Sequence, residues 1–405
     1  MLTKILKKDY ICPYCFNRHP LYNVKFRCET EHCPKEVDKT YSTFNGYARP
    51  REMHKVIEAP QPSNGMGKFM AKMPSSCECP GCSQETTQRI CPSCHSNLPT
   101  TIGEYKDLIF AIVGAKETGK SHYISVLIDR LSKEVGEAYD CLLEPINEET
   151  IQRYRDDFWN PVFRRKETIE ATRSARADER VRRPLLYTLK FTKKGMFNKK
   201  KTYKVITLAF FDAAGEDLDA EDTMHTLNKY IYNSAGIILL LDPLQLQHVR
   251  DNLDSNIHLP TINTDSRELL FRMTNLIRKA LKLKQQDKID IPLAVALSKI
   301  DAVKPMLDPA SPLRFPSQHT DSKAFDLIDF ENVQSEIEVL IKEWAEAGMT
   351  RTLETNYKSY GYFGVSSLGY NPSADMKIKE LNPYRVEDPC LWLLSEHKII
   401  DTKRK

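Results

Sequence analysis

Two groups of residues in this 405-residue chain have types and spacings that could do chemistry. The first is GAKETGKS, residues 114–121, which fits the pattern GxxxxGK[ST]. Gly114 and Gly119 let the loop bend so that successive backbone N–H groups point inward. A helix beginning at Lys120 adds its positive N-terminal end, making a nest for phosphate oxygens. Lys120 is placed to reach the β- and γ-phosphates of a nucleotide as a catalytic cation, and the Ser121 hydroxyl to bind a bridging Mg2+. Lys116, Glu117, Thr118 and His122 complete the candidate nucleotide contacts of this loop.

The second group is thiols. Nine of the eleven cysteines precede residue 95, with only Cys141 and Cys390 downstream. CPYC (12–15) and CPSC (91–94) each offer two thiolates two residues apart, with proline fixing the turn, and CECPGC (77–82) offers Cys79 and Cys82. Cys28 and Cys33 form a looser fourth pair. Eight thiolates suit two Zn2+ sites built from Cys12, Cys15, Cys28, Cys33, Cys79, Cys82, Cys91 and Cys94, with Cys77 spare or substituting. Spacing leaves the pairing open: the pairs close in sequence or interleave, and His19, His32 or His95 could replace a cysteine. Reactive thiols and an iron–sulfur cluster are the alternatives. The module either caps the rest of the chain or docks a protein or nucleic acid, YNVKFRC (22–28) being the faint hint of the latter.

Residues 1–105 have little periodic apolar patterning, so metal is expected to supply stability that packing lacks. From residue 106 to 405 apolar runs alternate with amphipathic stretches. LIFAIV (108–113), LLYTLKFT (185–192), KVITLAFF (204–211), GIILLLD (236–242), PLAVALSK (292–299) and YGYFGVSS (360–367) read as six strands, with helices from Lys120 and near 262–285, 326–346 and 388–398. That pattern predicts an α/β fold: a mostly parallel six-stranded sheet with helices on both faces. The charged stretch 145–183 reads as a long helical, solvent-facing insertion, and the lysine-rich 192–204 as a solvated hairpin tip or a contact for an anionic surface.

Three further motifs follow the loop in order: FFDAAGE (210–216), SKID (298–301) and VSSLG (365–369). Their order and strand-end positions resemble P-loop GTPases with a Ras-like, TRAFAC-type G domain, over roughly residues 108–398. The long gap from Ser121 to Asp212 and the terminal NPYRVEDPCLWLL are similar to the double-GTPase group of bacterial conflict and defence systems. The resemblance implies that Asp212 holds Mg2+ through water, that the Gly215 N–H meets the γ-phosphate, and that Thr172 or Thr168 caps the metal. It implies that Asp301 accepts from guanine N1–H and N2, that Lys299 lies along the ring, and that Ser298 gives its hydroxyl to the phosphate loop. Ser366 and Ser367 fall in the loop whose backbone meets guanine O6. Glu216 stands where many GTPases place a water-orienting Gln, so GTP hydrolysis to GDP is expected to be slow or to need a partner. Arginines in 164–183 are the candidate source of a transition-state cation.

The net charge of +4 implies no polyelectrolyte partner. No apolar run approaches the roughly 20 residues of a membrane span, and the start MLTKILKKDYICPYC has no apolar signal core, so a cytoplasmic protein is expected. The function expected is a regulatory GTPase switching a protein effector or regulator; the rival is a GTP-holding scaffold whose zinc module does the docking. A motor or kinase lacks support, since SKID fits guanine.

Overall fold

The computed structural model describes residues 9–62, 68, 71–103, 106–169, 183–194, 200–211, 228–253, 259–260, 266–344, 348–370, 372 and 376–404. One sheet dominates: β1 (Lys106–Gly114), β2 (Cys141–Pro145), β3 (Leu185–Lys194), β4 (Lys200–Phe210), β5 (Gly236–Leu241), β6 (Leu293–Leu297) and β7 (Tyr360–Gly364). Their spatial order is β2-β3-β4-β1-β5-β6-β7. The strands from β4 to β7 in that order run parallel, and β2 and β3 are antiparallel to their neighbours. Six of these are the expected strands. The seventh, β2, has no apolar run to mark it, because CLLEP is an edge strand with only Leu143 buried.

Strand alternation divides the core into two layers. On β1, Ile109, Ala111 and Val113 face one cluster, with Met273 and Ile277 of α2 (Ser266–Ala280) and Val333, Ile337 and Ile341 of α3 (Leu327–Trp344). That same cluster takes in Tyr10, Phe16, Phe26 and buried cysteines of the N-terminal region. Leu108, Phe110 and Ile112 face the other layer, with Ile124, Leu127 and Leu131 of α1 (Lys120–Ser132) and Leu391, Trp392 and Leu393 of α4 (Asp388–Glu396).

The charged insertion is helical over its described central part, an α-helix over Glu148–Arg153 running into π-helical turns over Tyr154–Arg165. It is not wholly solvent-facing, as the charge density suggested. Phe158, Pro161 and Val162 are buried, the Tyr154 hydroxyl donates to the Ser125 carbonyl at 3.0 Å, and Ser125 Oγ donates to the Phe158 carbonyl at 3.1 Å. Aromatic residues spaced four apart within the charged sequence dock the segment on α1.

In NPYRVEDPC the charged residues are buried and paired. Arg385 donates to Asp329 at 2.7 Å and to Asp388 at 2.8 Å, while Glu387, 2% exposed at its side chain, accepts from Arg130 at 2.7 Å. Pairing is what permits burial of these charges, and it ties α4 to α3 and α1.

Candidate functional site

The phosphate-type loop lies where its sequence placed it, between β1 and α1. A Cβ on Gly114 would stand 2.7 Å from Thr118 Oγ1 and 2.9 Å from the Leu240 carbonyl oxygen, so no larger residue fits there. Gly119 begins the helix at φ 85°, a left-handed conformation that glycine adopts without penalty. Thr118 Oγ1 closes the turn by donating to the Ala115 carbonyl at 2.9 Å. Lys120 Nζ donates to the carbonyls of Gly114 and Ala115 at 3.0 and 3.2 Å, and Lys120 and Ser121 are both buried at the helix start. Lys116 and Glu117 project into solvent.

His122, next along α1, has its Nε2 2.9 Å from the backbone N–H of Ile169, which makes Nε2 the acceptor and places the ring proton on Nδ1. Burial, helped by the positive charge of Lys299, holds this imidazole down to about 4. The contact brings the 166–169 segment against α1. There the Thr168 N–H donates to the Met376 carbonyl at 2.9 Å, and the Ile378 N–H to the Lys166 carbonyl at 2.7 Å. Of the two threonine candidates, Thr168 thus precedes the residue that meets α1 at His122; Thr172 lies outside the described residues, as do Asp212, Gly215 and Glu216. Among the candidate arginines, Arg165 pairs with Glu167, and Arg183 with Glu149, Asn45 and Tyr47.

SKID and VSSLG converge because β6 and β7 are neighbours: the Val365 N–H donates to Leu297 at 2.8 Å, and Ile300 N–H to Val365 at 3.2 Å. Ser298 Oγ donates to the Leu241 carbonyl at 3.2 Å, not to the phosphate loop as the resemblance implied. Lys299 takes a left-handed conformation, φ 50°, and its Nζ lies 2.6 Å from Asp242 Oδ2. Asp242 closes the run GIILLLD, and no spacing in the sequence pairs it with this lysine. Its side chain is fully buried and also accepts from the Leu244 N–H, so it fixes both the turn after β5 and the lysine.

Asp301 stands apart from these paired groups. Its Oδ2 is buried with no hydrogen-bond partner among the described residues. Burial pushes the carboxyl above its ordinary range, against the opposing pull of the Ser366 hydroxyl, Lys299 and Lys304. Such an atom costs about 1–3 kcal/mol unless a donor meets it. Ser366 is itself pinned: its N–H and carbonyl pair with Tyr384, and its Oγ accepts from Gly369 N–H at 2.8 Å. Ser367 is half-exposed beside it.

The eight cysteines form two clusters, Cys12–Cys15–Cys91–Cys94 and Cys28–Cys33–Cys79–Cys82. The pairs therefore nest, the first with the fourth and the second with the third. Neighbouring sulfurs stand 3.8 Å (Cys12, Cys94), 3.7 Å (Cys15, Cys91), 3.6 Å (Cys28, Cys82) and 3.7 Å (Cys33, Cys79) apart. Thiolates about 2.3 Å from a tetrahedral zinc would stand about 3.8 Å apart, so the donor sets fit that ion. Cys77 lies outside both clusters, and no histidine among the described residues enters either one. His19 Nε2 instead lies 3.5 Å from Cys91 Sγ, and His95 lies 2.9 Å from Asp38, which also takes Arg27 at 2.7 Å.

No protein-family model matches the chain. It is 25% identical over 332 residues to SaeC of Mycolicibacterium smegmatis, a proposed ESX-1 scaffolding and assembly protein, across 77% of this chain and 80% of that one. Solved structures similar to it include Era of Aquifex aeolicus bound to GDP and AlF4−, at 13% identity and a TM-score of 0.28, across 74% of this chain and 59% of Era. The GTPase-like domain of S. cerevisiae Ski7, bound to GDP and phosphate, matches at 15% identity and a TM-score of 0.29, across 73% of this chain and 50% of that one. At scores this low the superpositions carry no argument. No helix among the described residues is long and apolar enough to cross a membrane.

Proposed function

We propose that this chain binds guanine nucleotide with Mg2+ and uses the nucleotide state to control a protein partner. In this reading residues 106–405 are a GTPase domain and residues 1–105 hold two zinc ions. The supporting observation is Asp301: a buried, unpartnered carboxylate oxygen beside Ser366, on the loop that closes β6. Guanine offers N1–H and the N2 amine to such an acceptor, and adenine offers no matching donor pair. Lys120 and the backbone of residues 114–121 would take the phosphates, and Ser121 with Asp212 the Mg2+, which would neutralise charge as the γ-phosphate leaves. Slow or partner-stimulated hydrolysis follows from Glu216, whose charge opposes the γ-phosphate. The description of SaeC as a scaffolding and assembly protein supports a protein partner, and we prefer an assembly role on that ground to one in bacterial defence.

Equilibrium binding of GDP and xanthosine diphosphate to the wild type and to Asp301→Asn tests the base reading. Xanthine carries a carbonyl where guanine carries N2, so the carboxamide should exchange the preference, GDP weakening by roughly 10- to 100-fold. Unchanged GDP affinity in the variant would remove Asp301 from the site. The SaeC description equally favours a scaffold that holds GTP with little turnover. Single-turnover phosphate release by the wild type and by Glu216→Ala separates the two: Mg2+-dependent release that the variant alters supports the switch, and no release from either supports the scaffold.

A further inference from the structure

Each of the three close CxxC turns is followed by a residue in the left-handed region: Phe16 at φ 56°, Ser83 at φ 54° and His95 at φ 55°. The reason is common to all three. The N–H of that residue turns back to the carbonyl of the first cysteine, Phe16 to Cys12 at 2.9 Å, Ser83 to Cys79 at 2.7 Å and His95 to Cys91 at 2.9 Å. Glycine would suit such a position, and a phenylalanine there is costly, so its side chain should have work elsewhere.

The Phe16 ring is fully buried against two rings of the nucleotide-type domain. Its centroid stands 4.9 Å from Tyr230 and 5.8 Å, edge-on, from Phe211, which in turn is 5.2 Å from Tyr230. Asn233 Nδ2 donates to the Phe16 carbonyl at 3.0 Å, fixing the backbone of the turn to the same element.

Tyr230 sits where β1 and β4 part. Their ladder ends at Ile109 and Ala209. Beyond that point the Tyr230 hydroxyl takes its place, donating to the Phe110 carbonyl at 2.7 Å and accepting from the N–H groups of Ile112 at 3.0 Å and Phe211 at 3.3 Å. Ile112 is two residues before Gly114 of the phosphate loop, and Phe211 is the residue before Asp212. One hydroxyl thus sets the separation of the strand that carries the loop from the chain that carries the candidate Mg2+ ligand.

We propose that Phe16 and Tyr230 are positioning residues that link metal at Cys12–Cys15–Cys91–Cys94 to nucleotide binding, so that each ligand tightens the other. The turn around the metal sets Phe16, Phe16 seats Tyr230, and the Tyr230 hydroxyl spaces Phe110 and Ile112, on the strand that leads into the loop, from Phe211. Linkage requires the coupling to be reciprocal. At the equivalent turn of the second cluster the residue is Ser83, which is exposed and offers no buried ring.

This inference rests on the guanine-nucleotide reading, and the test keeps the two apart. Zinc release from the full-length, zinc-loaded protein to a colorimetric chelator is followed with and without Mg·GDP, for the wild type, Tyr230→Phe and Phe16→Leu. The ring is kept in the first variant and an apolar side chain in the second, and zinc content per chain is checked to be unchanged. Mg·GDP should slow release of one zinc of the two by about fivefold or more, the low end of ordinary coupling. Both variants should lose that slowing and bind Mg·GDP correspondingly more weakly. Tight Mg·GDP binding by the wild type with zinc release unaltered would overturn the linkage alone. No guanine nucleotide binding by the wild type would overturn the reading beneath it.

Discussion

Single side chains at this site are held by groups distant in sequence. Lys299 is fixed by Asp242, which lies 57 residues earlier, and His122 by the Ile169 N–H. The His122 pair makes a pH prediction. Its folded-state value of about 4 lies below the ordinary 6.5, so the unfolded chain binds the extra proton first and protonation opposes folding. Its contribution is whole above pH 6.5 and is lost as pH falls from there towards about 4. The melting temperature should therefore fall as pH is lowered through that window, and His122→Gln should flatten the dependence. The loop glycines, Lys120 and Asp301 were legible in the sequence because their chemistry demands those types at fixed spacing. Asp242 was not, since an aspartate ending GIILLLD reads equally as a turn cap, a role it also fills.

At the scale of elements, the two loops that converge beside the proposed base site depend on close backbone approach. Gly369 has φ 89°, and a Cβ there would lie 2.2 Å from the Asn382 carbonyl oxygen. Gly369→Ala should lower the melting temperature and weaken guanine nucleotide binding, through strain of about 1–2 kcal/mol plus displacement of the Ser366 turn. Calorimetry and nucleotide titration of one preparation would show both effects, and a variant matching the wild type would free that loop from the site. The apolar strands and long helices were readable because burial on both faces leaves an uninterrupted signature. Edge strand β2 was not, because its pairing is decided by a strand distant in sequence, with Cys141 opposite Phe191. The nested pairing of cysteines was hidden for the same reason, since spacing fixes each turn and only the fold brings the turns together.

Across the whole molecule, one core layer runs from the cysteine clusters through the sheet to α2 and α3, and the other is closed by the buried ion pairs of Arg385 and Glu387. The phosphate loop, SKID and VSSLG are all placed by strand ends β1, β6 and β7 of that sheet. That arrangement makes base identity the central matter. Isothermal titration of the zinc-loaded protein with GDP and with ADP, both with Mg2+, tests it most directly. GDP should bind at least about 100-fold more tightly, because adenine leaves Asp301 Oδ2 without a donor. Equal affinity for the two would contradict it, leaving SKID as a strand end and the chain as a P-loop nucleotide binder indifferent to the base.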